Sequence, residues 1–249
     1  MKSLISIRDI RKSFNGGELY GNLNLEIEAG KITSIFGPNG SGKSTLLNIL
    51  AGIVRHDGGI FTIDGFDHRE FSYIFQNYRD SLLPWRTNFE NLALPLEFQG
   101  KSREFIAQRI DELQKLFEFD CDWERYPYEL SGGQQQILAF LRALITRPKL
   151  LFVDEPFSAL DYGNNLKLRK HLQAYFLAYR PTIVLITHNI EEAVHLSDRI
   201  VVFGSKPAKV IASVDNPLAF PRNIDTLKSE AFHRTKDAVL NAFLKTETI

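Results

Sequence analysis

The run GPNGSGKST, residues Gly37, Pro38, Asn39, Gly40, Ser41, Gly42, Lys43, Ser44 and Thr45, fits the pattern G-x-x-x-x-G-K-[ST]. Glycines let successive backbone N–H groups converge on an anion with no Cβ in the way. A helix starting there adds partial positive charge. Lys43 is expected to reach the β- and γ-phosphates of a nucleoside triphosphate, Ser44 to give its hydroxyl to magnesium, and Thr45 to bond the α-phosphate. Such a loop alone fits a GTPase, a small-molecule kinase, a recombinase-like ATPase or a transport ATPase.

A second acidic site follows. The apolar run from Leu150 ends in Asp154 and Glu155. An acid at the carboxyl end of a strand beside a phosphate loop can hold magnesium, usually through water, which suits Asp154. Glu155, one residue on, is placed to polarise an attacking water, help worth about 10²–10⁴-fold.

A third device is LSGGQ, Leu130 to Gln134, ahead of an apolar run that contains Leu138, Phe140 and Leu144. Ser131 is a good N-cap, and Gly132 and Gly133 expose N–H groups at a positive helix end. One ATP does not need two such cradles in one subunit. The second cradle is therefore expected to serve the ATP of a partner subunit.

These residues need elements to hold them. Leu23, Leu25 and Ile27 alternate with polar residues, as in a half-buried strand. Ile32 to Phe36, Leu150 to Val153 and Ile183 to Ile186 are apolar without alternation, as in strands covered on both faces. Further strands are expected at Ile60 to Ile63, Phe71 to Phe75 and Ile200 to Phe203. Helices are expected over Thr45 to Ala51, stopped by Gly52, and over Asn88 to Glu97, Ser102 to Glu118, Leu166 to Tyr179 and Ala231 to Leu244. Ile106, Ile110, Leu113 and Phe117 share one face, read as core packing. The pattern weakens from Gly204.

With these motifs in this order, the chain resembles the ATP-binding subunit of ATP-binding-cassette (ABC) transporters over nearly its whole length. Further motifs support the resemblance. SALD, Ser158 to Asp161, follows the acidic strand; Gln76 ends the strand from Phe71; His188 follows the strand from Ile183. Phe14 stands where the family places an aromatic that stacks on adenine, with Tyr20 as a nearby alternative. The resemblance implies an α/β fold: a P-loop NTPase core with a mixed sheet and helices on both faces, an N-terminal antiparallel β-subdomain, and an inserted helical subdomain. The implied division is 1–76 and 147–204 for the catalytic core, 77–146 for the helical signature subdomain, and 205–249 for a C-terminal extension with no separate regulatory domain.

In the family two subunits form a head-to-tail dimer around two Mg-ATP. Carried over, Ser131, Gly132, Gly133 and Gln134 face the partner's nucleotide, and Asp161 communicates across the interface. His188 contacts the γ-phosphate. Gln76 senses magnesium and the attacking water. The implied partners are a second ATP-binding subunit, a transmembrane permease subunit and, indirectly, an extracytoplasmic solute-binding protein. The implied place is the cytoplasmic face of the membrane, as a peripheral protein. The LLPW-x-T run after Gln76 resembles importers of nitrate, sulfonates, taurine or thiamine-like precursors. Leu82, Leu83 and Trp85 are then candidates for a groove that docks the membrane subunit, with plain packing as the competing reading. The family pattern is broken at Ile137, where Arg is usual, at Leu141, where a small Ala is common, and at Asn164 and Asn165, where a Thr-Arg pair is usual.

Composition agrees with this class and excludes others. The chain has 249 residues, 44% hydrophobic and 24% charged, an ordinary globular balance. Lys+Arg is 30 and Asp+Glu is 30, so there is no cationic excess of the kind duplex binders carry. An ABC-type ATPase acting on nucleic acid or ribosomes is the alternative function, and no nucleic-acid partner is expected. A P-loop kinase accounts for neither LSGGQ nor His188. A single cysteine, Cys121, rules out an internal disulfide. The six histidines offer no close pair for a metal. The longest stretch without Asp, Glu, Lys or Arg, Leu130 to Leu141, is shorter than the about 20 residues a membrane span needs.

Overall fold

A computed structural model describes residues 3–15, 17–65, 70–158, 160–205 and 207–245. Ala159, within the SALD motif, lies outside the described residues.

Among the described residues, two sheets form the frame. The first is antiparallel, with β1 (Ser3–Phe14) between β2 (Gly17–Glu28) and β4 (Gly58–Ile63). The second has six strands in the order β5-β6-β7-β3-β8-β9: β5 (Phe71–Ile74), β6 (Leu150–Asp154), β7 (Thr182–Thr187), β3 (Ile32–Phe36), β8 (Arg199–Phe203) and β9 (Val210–Asp215). All neighbours pair in parallel except β8 and β9, which makes the sheet mixed.

The unalternating apolar runs have a simple cause. Successive side chains of a strand point to opposite faces, and both faces of this sheet are covered. Leu150 and Phe152 join the core formed with β1, β2 and helix α1 (Lys43–Leu50). Leu151 and Val153, between them, join the opposite core with Leu168, Leu172 and Phe176 of helix α5 (Tyr162–Tyr179). Full burial of Val184 and Leu185 on the central strand shows the same division.

Three helices lie in sequence between β5 and β6: α2 (Asn88–Glu97), α3 (Arg103–Leu116) and α4 (Gly132–Leu144). Their caps fix where they begin. Thr87 and Glu90 form a capping box at α2, and Ser102 accepts from the Phe105 N–H at α3. Ile106, Ile110, Leu113 and Phe117 are all buried, as the stripe requires. Three helices follow β7: α6 (Ile190–Leu196), α7 (Ile224–Lys228) and α8 (Glu230–Leu244).

The structure corrects several boundaries. Helix α1 starts at Lys43, two residues earlier than expected, because the chain turns directly from Gly42 into the helix. Helix α5 starts at Tyr162 instead of Leu166, because the Asp161 carboxylate caps it by accepting from the Asn164 N–H at 3.0 Å. Strand β9 and helix α6 were not expected. β9 is a partly exposed edge strand with little apolar contrast, and α6 has only seven residues. Leu82 belongs to the core, 6% exposed, which is the packing reading. Trp85, 72% exposed, is the one of the three that faces outward.

Candidate nucleotide site

The phosphate loop joins buried β3 to α1. Gly42 sits just before the helix at φ 89°, a left-handed conformation that a side chain resists. A Cβ there would also come within 2.7 Å of the Tyr20 hydroxyl. Tyr20 is fully buried in β2 and donates its hydroxyl hydrogen bond to the Gly42 carbonyl. The two aromatics thus differ in exposure. Tyr20 braces the loop from beneath, whereas Phe14, 50% exposed at the end of β1, is open to a ligand.

The loop opens into a cleft of about 440 Å³, within the range of small-molecule sites. Phe14, Asn39, Gly40, Gly42, Lys43, Ser44, Thr45, Gln76 and Glu155 line it, with Leu19 at its side. Lys43 Nζ donates to the carbonyls of Gly37 and Pro38 at 3.0 and 2.8 Å, so the ammonium is held at the centre of the loop. Burial lowers its pKa, and the carboxylates of Glu155 and Asp154 act the other way. Pro38 therefore serves through its carbonyl. Ser41 is buried beneath the loop at 2% exposure.

Asp154 closes the floor. Its Oδ1 accepts from Ser44 Oγ at 3.0 Å, and its Oδ2 lies 3.4 Å from the Tyr73 hydroxyl. Burial raises the Asp154 pKa, with the Glu155 charge adding to it. A hydroxyl and a buried carboxylate within hydrogen-bond distance form an oxygen-only donor set, which suits a hard divalent cation such as magnesium. Tyr73 was not foreseen as a contributor. A tyrosine in a short strand reads as core, and only the strand pairing brings it beside Asp154.

Glu155 sits at φ 44°, unusual for a residue with a side chain, and its N–H donates to the Ile186 carbonyl at 3.0 Å. This turn separates the two acids: Asp154 continues the strand, and Glu155 swings into the cleft. Strained backbone of this kind is concentrated at functional sites. Gln76 Nε2 donates to Glu155 Oε2 at 3.3 Å, and His188 Nδ1 lies 3.0 Å from the same oxygen.

The signature residues lie elsewhere. None of Ser131, Gly132, Gly133, Gln134 and Asp161 is among the residues that line the cleft. Ser131 caps α4 in a capping box with Gln134 and remains exposed, with Gly132 behind it in the first turn. Gly133 shares a different cavity with Leu160 and Asn164, and a Cβ on Gly133 would come 3.7 Å from Asn164 Nδ2. Asn164 Nδ2 in turn donates to Asp161 Oδ2 at 2.6 Å. Asn164, one of the residues that depart from the family pattern, is thus bonded to Asp161 and faces the signature helix across that cavity. Leu141 is wholly buried in the core, and Ile137 packs against it. Gln136, which sequence reasoning passed over, is buried and donates to the Pro156 carbonyl, joining α4 to the loop after Glu155.

Comparison with known proteins gives a consistent result. The family described as ABC transporter matches residues 20–158. The aliphatic sulfonates import ATP-binding protein SsuB of Bacillus cereus is 34% identical over 247 residues, 96% of this chain and 95% of that protein. The sulfate/thiosulfate import ATP-binding protein CysA 2 of Shewanella oneidensis is 37% identical over 234 residues, 87% of this chain and 66% of that protein. Among solved structures, the dimeric post-hydrolysis state of the ATP-binding cassette MJ0796 bound to ADP and Pi has a TM-score of 0.74 and 30% identity, covering 86% of this chain and 100% of that one.

Proposed function

The chain belongs to the ABC transporter family, as an ATP-hydrolysing subunit coupled to transport, and from that premise we propose that it powers an importer of a small oxyanion of the sulfonate class. The observation that carries the mechanism is the separation of the two cradles. The phosphate loop, Phe14, Gln76 and Glu155 share one cleft, while Ser131 to Gln134 stand outside it. A second copy facing the first, head to tail, brings its signature helix N-terminus to that cleft and completes the site.

Each residue then has a part. Phe14 offers a face for the base. The loop amides and Lys43 hold the phosphates. Ser44 and Asp154 would hold magnesium, with Gln76 nearby, and the ion would neutralise charge that develops on the phosphates. Glu155 accepts hydrogen bonds from the attacking water and orients it, and His188 holds the γ-phosphate side of the same space. Asp161 meets the partner. Residues 77–146 act as the signature lobe, with Trp85 on its outer surface toward the membrane subunit at the cytoplasmic face. No described helix is long and apolar enough to cross a membrane, so the channel belongs to a permease partner. A solute-binding protein outside the membrane delivers the cargo.

Relatives named for aliphatic sulfonates import support the solute class. The test is co-purification of the membrane subunit, followed by reconstitution in vesicles loaded with Mg-ATP, with the solute-binding protein added outside. Uptake of a short alkanesulfonate that depends on internal ATP is expected. Uptake of a polyamine in its place, with none of sulfonate or sulfate, contradicts the proposed solute.

A further inference from the structure

The bulkiest fully buried side chain among the described residues is a cation, Arg169, in the middle of α5. A lone buried guanidinium is costly, so its partners identify what it holds. Its Nη2 lies 3.4 Å from Glu192 Oε1, and its Nη1 3.3 Å from Glu191 Oε1. Its Nε donates to Asn165 Oδ1 at 2.5 Å, and Asn165 Nδ2 donates to the same Glu192 oxygen at 3.1 Å. Asn165 and Arg169 are one helical turn apart on one face of α5. The guanidinium also stands 5.9 Å from the ring centre of Phe157, in the loop after Glu155.

The other oxygen of Glu192 reaches the hydrolytic side. Thr187 Oγ1 donates to Glu192 Oε2 at 2.5 Å and accepts from the Asn189 N–H at 3.0 Å. Asn189 caps α6 by accepting from the N–H groups of Glu191 and Glu192. Both chain neighbours of His188 are therefore pinned, while His188 itself is free of this network and turned to Glu155.

We propose that Asn165, Arg169 and Glu192 are positioning residues for hydrolysis, fixing the turn that carries His188 so that its imidazole meets Glu155. The inference rests on the reading of His188 and Glu155 as hydrolytic residues. It also accounts for Asn165: with the guanidinium one turn further along at Arg169, a short amide is what fits between it and Glu192.

The experiment measures ATP hydrolysis and ATP affinity of the full chain with Arg169→Gln, with Thr187→Val, and with the relocated pair Asn165→Arg plus Arg169→Asn. Arg169→Gln and Thr187→Val are expected to lower kcat by about tenfold to a hundredfold, the effect of misplacing a reacting group. KM for ATP is expected to stay within about twofold, since the phosphate loop is untouched. The relocated pair is expected to recover most of the lost kcat. Should Arg169→Gln fail to fold, Thr187→Val, which removes one hydroxyl, carries the test. The inference is overturned if the folded variants keep wild-type kcat, if kcat and ATP affinity fall together, or if the relocated pair folds and stays slow. A wild-type chain without ATPase activity would instead count against the proposed function.

Discussion

His188 Nδ1 lies 3.0 Å from Glu155 Oε2. The two residues follow the carboxyl ends of β7 and β6, adjacent parallel strands. Gln76, which reaches the same carboxylate oxygen, follows the next strand out, β5. Three consecutive strands thus end on one oxygen beside the phosphate loop, at the edge of the sheet where open α/β folds place their ligands.

Replacing that oxygen tests its role. Glu155→Gln keeps the shape and removes the charge. Hydrolysis is expected to fall by about 10²–10⁴-fold. ATP binding should persist, and a stable dimer should accumulate with ATP in size-exclusion chromatography. A variant that stays monomeric with ATP while wild type hydrolyses normally counts against the shared site.

Asp154 carries a charge that burial disfavours. In chelator, Asp154→Asn is expected to raise the melting temperature by about 2–4 °C, the shift that about 1 kcal/mol gives in a chain of this size. With Mg-ATP the order should reverse, because the variant has lost the carboxylate that holds the ion. Equal response of both proteins to Mg-ATP would remove Asp154 from the metal site.

The two aromatics near the loop should separate cleanly. Phe14→Ala is expected to weaken ATP binding by about 1–3 kcal/mol, roughly fivefold to 150-fold, through lost base stacking. Tyr20→Phe removes a hydroxyl bonded to the Gly42 carbonyl. It should instead cost about 1 kcal/mol of stability. Isothermal titration and thermal melts distinguish the two. The reverse pattern would place the base on the other side of the loop.

His195 gives a pH dependence outside the site. Burial, with Arg169 and Arg222 nearby, lowers its pKa from 6.5 to about 4. The unfolded chain then binds a proton there sooner than the folded chain. Stability from this residue is present above its ordinary value and is lost as pH falls through 6.5 toward about 4. Urea midpoints across that window should fall less steeply for His195→Gln. An unchanged slope would mean that acid destabilisation comes from other groups.

Much of this was legible in the sequence, for physical reasons. The buried strands announce themselves because both faces are apolar, and the phosphate loop because its glycines are needed by the backbone. Phe14 was set ahead of Tyr20 by its place in the family pattern alone, since their exposure depends on how β1 and β2 pair. Asn165 read only as a departure from the usual Thr-Arg pair, because Arg169, a turn away on α5, and Glu192, opposite, come together only in the fold. Tyr73 and Gln136 were invisible because their partners, Asp154 and the Pro156 carbonyl, are distant in sequence. The register of the sheet and the seating of α4 bring them together.

The central claim is that each ATP is enclosed by the phosphate loop of one copy and the signature of the other. Two inactive proteins test it most directly: Lys43→Ala, with a disabled phosphate loop, and Ser131→Arg, with a blocked signature. Mixed, they form a dimer in which one intact loop faces one intact signature, so ATPase activity is predicted to reappear. A mixture that forms the mixed dimer yet stays as inactive as its parts would contradict the account.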